Sequence, residues 1–122
     1  MATVYANSSD GYVSISNSNW VTARDANTGT GVSSTTTRNA YAINASRTAA
    51  RGGGYSYWVS RSFFSFDTSG ISSTLTEATL KIYGYSQTGG DIIAVKATSD
   101  IASLATADFD VITGWDGASA DG

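Results

Sequence analysis

Three groups of side chains in this 122-residue chain are of types that do chemistry or hold ligands. Asp108 and Asp110 sit two residues apart with Asp116 close behind, a spacing that invites a Ca²⁺ site or a carboxylate pair for glycoside hydrolysis. Calcium needs several converging oxygens, however, and no Asp-x-Asp-x-Asp-Gly loop is present, while paired hydrolytic acids usually come from distant segments. These acids are therefore expected on a surface loop rather than in a deep pocket, with no catalytic residue and no cofactor. A structural Ca²⁺ is the lesser alternative. Arg61 and Asp67 fall on the same side of one regular strand and read as a structural ion pair that ties strand ends to loops. Trp20, Tyr55, Tyr57, Trp58 and Trp115 offer flat aromatic faces that could stack on pyranose rings or contact a partner. Tyr57 and Trp58 must point to opposite sides of a strand and cannot share one platform, so packing in the core or between subunits is favoured over glycan stacking.

Composition narrows the chemistry further. His and Cys are both absent, which removes zinc sites of the usual ligand types, imidazole acid/base catalysis, thiolate chemistry and disulfides. A net charge of −3 argues against a nucleic-acid partner, which needs clustered Lys and Arg to neutralise phosphates. The charge is uneven. Five arginines against Asp10 and Asp25 make residues 1–66 net +3, and two lysines against seven aspartates and Glu77 make residues 67–122 net −6. Two unequal solvated faces explain this polarity; orientation on a partner is the alternative. No long apolar run suggests membrane insertion, and the first residues lack the basic end and apolar stretch of an export signal.

The elements that must position these residues are strands. With 41% hydrophobic residues, 11% aromatics and only 14% charged, the chain is rich in Ser, Thr, Gly and Asn, as expected of strands that alternate apolar with small polar side chains. Strands are expected at 2–6, 11–16, 20–25, 40–45, 55–66, 77–85 and 91–97, with a polar loop at 33–39, a flexible glycine turn at 51–54, a hairpin turn at 87–90 and a short helix within 102–109. Alternation in the strand holding residues 61–66 puts Ser62, Phe64 and Phe66 on one side. It likewise puts Ala78, Leu80 and Ile82 on one side of the next. Phe64, Phe66, Leu80 and Ile82 are the expected core.

The run Arg61-Ser-Phe-Phe-Ser-Phe-Asp-Thr-Ser-Gly-Ile71, followed by Glu77-Ala-Thr-Leu-Lys-Ile-Tyr-Gly-Tyr85, resembles the R-S-x-L-x-F-D-x-S … A-T-L-x-I-Y signature of DNRLRE-type β-sandwich domains. Such domains occur in bacterial surface proteins and in bacteriophage virion proteins. Looser similarity at Ser9 to Val13, at Trp20 to Asp25 and at Ala107 to Phe109 with Trp115 extends it over residues 8–115, although the Pro often found after the Phe-Asp-x-Ser strand is replaced by Ser72-Ser73. The resemblance implies an all-β, jelly-roll-like antiparallel β-sandwich spanning residues 1–115, followed by a flexible tail at 116–122. The C-terminal end reads as unfinished, so the chain is expected either to be the N-terminal part of a longer protein or to be completed by another chain.

The function expected from this resemblance is that of a non-enzymatic structural module of a bacteriophage virion, a capsid decoration or head fibre in preference to a tail protein. A sandwich that starts at once from Met1 without an export signal favours the virion surface. Its partners would then be virion proteins or copies of itself, and it would work as an oligomer or bound in an assembly. The alternative is a carbohydrate-binding module or adhesin, extracellular or on a cell surface, that contacts glycan through Trp20, Tyr55, Tyr57 and Trp58.

Overall fold

The structure is a computed structural model that describes residues 2–6, 10–33, 43–74, 76–82, 93–98, 101 and 103–112. Its centre is a four-stranded antiparallel sheet in the order β2-β1-β4-β3, built from β1 (Gly11–Asn17), β2 (Gly31–Ser33), β3 (Asn44–Ala49) and β4 (Tyr55–Phe63). A short helix, α1 (Trp20–Arg24), follows β1, and a 3-10 helix (Thr106–Asp110) returns to the same sheet late in the chain. The protein is thus mostly antiparallel β with little helix. Among the described residues no helix is long and apolar enough to cross a membrane.

Register explains why only one face of the sheet is apolar. Gly11 pairs with Phe63, Val13 with Arg61, Ile15 with Val59 and Asn17 with Tyr57. Odd-numbered residues of β1 and β4 therefore share a face. That face carries Val13, Ile15, Val59 and Phe63, and onto it pack Ala23 of α1, Leu104 and Phe109 of the 3-10 helix. Val13 and Phe109 are fully buried. The opposite face carries Ser14, Ser16, Ser56, Ser60 and Ser62 together with Tyr12 and Trp58, and there Ser14 lies directly opposite Ser60.

The covered face corrects the expected core. Phe63 is buried, whereas Phe64 is half-buried, Phe66 is exposed, and Leu80 and Ile82 are each 49% exposed. The ladder of β4 stops at Phe63, so Phe66 lies beyond it and makes only an isolated bridge to Ala6. Two adjacent phenylalanines leave the parity of the strand ambiguous in sequence, and the charge of Arg61 disguises the odd positions as the polar side.

Other elements also differ from expectation. Residues 20–24 form α1 and not a strand, because Asn19 accepts a hydrogen bond from the Thr22 amide (3.2 Å) and Asn17 accepts one from the Asn19 amide (2.9 Å). An N-cap of this kind satisfies helical donors that the β-prone Trp-Val-Thr sequence cannot. Of the strand expected at 40–45, residues 40–42 lie outside the described residues, and Asn44 and Ala45 open β3 (Asn44–Ala49), which forms a hairpin with β4. The intervening Gly52, Gly53 and Gly54 all have positive φ, a conformation that β-carbons oppose. Among the described residues, 2–5, 77–82 and 93–96 form no ladder, although Ala97 bridges Ile112. The loop at 34–39, the turn at 87–90, Tyr83 to Tyr85, Trp115, Asp116 and the tail lie outside the described residues.

Two positions set the spacing of the core. A Cβ added to Gly29 would meet Val13 Cγ1 at 2.4 Å and the Ser14 carbonyl at 2.9 Å, so only glycine lets this segment lie against β1. Its amide donates to the Thr106 carbonyl (2.8 Å), which brings the 3-10 helix to the sheet. Asp10 is buried at the start of β1 and accepts a hydrogen bond from the Ser65 amide (2.8 Å), closing the end of β4.

The register is tested by paired truncations: Phe63→Ala should cost about 3–5 kcal/mol in urea unfolding, while Leu80→Ala should cost less than about 1 kcal/mol. Equal losses would mean that the covered face has been misassigned. Asp10 allows a second check. Burial pushes its carboxyl above the ordinary range, against the opposing effect of the Ser65 hydrogen bond. The folded chain therefore holds this proton where the unfolded chain has released it, and the stability it contributes is lost as pH rises from about 4 through the raised value. Asp10→Asn keeps an acceptor for Ser65 and removes this loss. Its advantage over the parent chain should grow from about pH 3.5 to about pH 7, and a constant difference would refute the linkage.

Candidate functional site

Arg61 stands at the middle of the covered face and joins three elements. Its Nη2 donates to the carbonyl of Arg24 near the end of α1 (2.9 Å), and Nη1 donates to the Phe109 carbonyl and to Asp110 Oδ1 (3.3 Å). The guanidinium carbon also lies 4.0 Å from the centroid of the Phe109 ring. Burial pulls its pKa below the usual arginine range, and the charge of Asp110 and its hydrogen bond oppose that pull. Arginine remains charged under either influence, so the group acts as a permanent cation with acceptors arranged around it.

This arrangement corrects the expected pairing of Arg61 with Asp67. Asp67 instead accepts a hydrogen bond from the Ser69 amide (2.9 Å) within its own turn, and hydrogen bonding from the Ser69 hydroxyl, with the amide adding to it, holds its carboxyl below the ordinary range. The strand ends at Phe63, so Asp67 is no longer in alternation with Arg61. The acids also depart from the expected surface loop. Asp108 and Asp110 belong to the 3-10 helix and are half-buried, Asp108 accepting from the Ala105 amide (2.7 Å) and Asp110 facing Arg61. Among the described residues no three His, Cys, Asp or Glu side chains gather as a metal site.

Beside Arg61, Arg24 and Asp25 form a two-pronged ion pair, with Nη2 to Oδ2 at 2.8 Å. The hydrogen bond from Arg24 holds Asp25 below its ordinary pKa, and the charges of Arg24 and Arg61 add to it. All these contacts are structural in geometry. Those of Arg61 fasten α1 and the 3-10 helix to β4, and the others are local.

The aromatic residues separate into two groups. Trp20, at the start of α1, lies 5.9 Å from Tyr57 between ring centroids with their planes at 54°, and Tyr57 lies 6.4 Å from Tyr55 at 51°. These rings are tilted against one another and do not make a flat platform. Trp58 is exposed on the opposite sheet face, apart from them. Sequence reasoning missed Arg47, which pairs across the hairpin with Tyr57 and reaches diagonally to hold its guanidinium 4.6 Å from the Tyr55 ring centroid. The signal was available in the glycine turn at 51–54: a tight hairpin there brings 47 opposite 57. Trp20, Ala45, Ser46, Arg47 and Tyr57 line an open groove of about 200 Å³.

If Arg61 fastens the two helices, Arg61→Lys should lower unfolding free energy by about 2–3 kcal/mol, since an ammonium cannot serve the same divergent acceptors. Asp110→Asn, which leaves the two carbonyl acceptors in place, should cost less. Urea titrations of both variants decide this, and an unchanged Lys variant would remove Arg61 from its central role.

No protein-family model matches the chain, and no curated protein or solved structure is significantly similar to it.

Proposed function

We propose that this chain is a non-enzymatic structural module of a bacteriophage virion, most naturally a capsid decoration or head-fibre component, built into its particle as one of several copies. The observation that carries the reading is apolar surface in the wrong place for a solitary chain. Leu80 and Ile82 are each 49% exposed, Ile93 is 71% exposed and Val95 52%. They alternate along segments 77–82 and 93–97, which have the sequence pattern of strands but form no ladder among the described residues. Exposed apolar side chains of this kind are suited to contact with another protein, and strand-patterned segments to pairing with a neighbour's edge. The sheet edge at β3 adds to it, because all six of its residues are exposed and it carries neither Lys nor Pro to discourage pairing. The resemblance of residues 61–83 to DNRLRE-type domains supplies the virion context. It also supplies the finer architecture proposed here, a jelly-roll-like sandwich whose second layer uses residues 77–82 and 93–97.

The test is assembly. Light scattering of the purified chain should give a multimer or a strong tendency to associate. Virion particles should contain the chain in symmetry-related copy number. Ile82→Lys with Ile93→Lys should abolish association while changing the stability of the isolated chain by no more than about 0.5 kcal/mol, because both side chains are exposed in it. A parent chain that stays monomeric at high concentration and never co-purifies with particles would defeat the reading.

A further inference from the structure

We infer that the groove between Trp20, Tyr57 and Arg47 is a binding site for a carboxylated pyranose, a uronic-acid residue of an acidic polysaccharide. The groove shares no residue with segments 77–82 and 93–97 of the assembly reading above, but Ala45, Ser46 and Arg47 belong to the β3 edge that reading also uses, so the titration below is read on the chain whether or not it associates. Its shape comes first. Trp20 and Tyr57, inclined at 54°, make two apolar walls, and Ala45 and Ser46 complete the lining of an open space of about 200 Å³. Such a trough suits one sugar ring whose apolar face lies on an aromatic wall while its hydroxyls stay in water.

Charge then selects among sugars. Arg47 is held over Tyr55 by a cation–π contact and has no carboxylate partner among the described residues. Arg24 lies elsewhere and is already matched with Asp25, and Arg61 is engaged with Asp110. The groove has no acidic lining residue, in a chain whose net charge is −3. A fixed guanidinium beside an aromatic trough complements a ligand carrying both a ring and a carboxylate. In a uronic acid the carboxylate projects from the rim of the ring, so the ring can rest on the open side of the touching Trp20 and Tyr57 rings while the carboxylate reaches sideways to Arg47. The other arginine near this hairpin, Arg51, is exposed in the turn and adds positive potential at the same end of the sheet.

The experiment is a calorimetric titration of the full chain with oligogalacturonate, with maltotriose as the neutral sugar and a poly-glutamate peptide as the acidic non-sugar. Oligogalacturonate should bind, more weakly as salt is raised, with maltotriose about tenfold or more weaker. Arg47→Gln should cost about tenfold or more, and Arg47→Lys should recover part of it. Trp20→Ala should abolish binding; should that variant unfold, the Arg47 pair still decides, because Arg47 is exposed and outside the core. Equal binding of maltotriose would overturn the role of charge, and equal binding of poly-glutamate would overturn the sugar class. No heat with oligogalacturonate, or an unaffected Arg47→Gln, would overturn the site altogether.

Discussion

The guanidinium of Arg61 stands on the face of the sheet that the rest of the described chain covers, and a charge there is tolerable only when its donors are matched. Two backbone carbonyls and one carboxylate meet that demand, from α1 and from the 3-10 helix. The phenyl ring of Phe109 lies against the cation and is itself fully buried. Desolvation of a charge is expensive, so the partners cannot drift without exposing the penalty. The position of both helices on the sheet is therefore coupled to one side chain of β4. A small apolar core of Val13, Ile15, Val59 and Phe63 gains specificity of docking from this polar fastening, which apolar contact alone, being non-directional, supplies poorly.

The same constraint explains the asymmetry of the sheet. Once α1 and the 3-10 helix are drawn to the odd-numbered face, the even-numbered positions of β1 and β4 carry mainly serines, with Tyr12 and Trp58 the large exceptions. The aromatic trough lies where this covered face runs out, at the end of β4 nearest the hairpin. There α1 begins with Trp20 and the sheet continues into Tyr57, Tyr55 and Arg47, so the groove is a boundary between the packed core and solvent. A site at such a boundary inherits a rigid wall from the core and an open side for a ligand.

The exposed segments at 77–82 and 93–97 have a different physical status. Their alternation of apolar and polar residues is as regular as that of β4, yet among the described residues they make no ladder and lie largely open. Apolar side chains at about half exposure retain much of the free energy that burial against a partner could release. That reserve is what an assembly can draw on. The fastening by Arg61 acts within one chain, whereas the exposed strand pattern is the surface on which the proposed assembly would draw.

The sequence alone determined that this is a β-rich protein without thiol or imidazole chemistry, and it located β1, the glycine turn and most of β4 from alternation and turn residues. It also separated Tyr57 from Trp58, because adjacent residues of a strand face opposite ways whatever they pack against. It did not determine which face is buried. Phe63 and Phe64 are consecutive, and Arg61 looks polar until Asp110, some fifty residues further along the chain, is brought to it. Nor could local pattern place Arg24, Phe109 and Asp110 around one cation, or set Trp20 against Tyr57, since these contacts join segments distant in sequence. Residues 20–24 show the same limit in miniature: their β propensity is intrinsic, but the Asn19 cap and the buried contact of Ala23 with the sheet outweigh it. Periodicity reports what each segment can bury. Which segments meet, and which side chain then becomes interior, is decided by the tertiary fold.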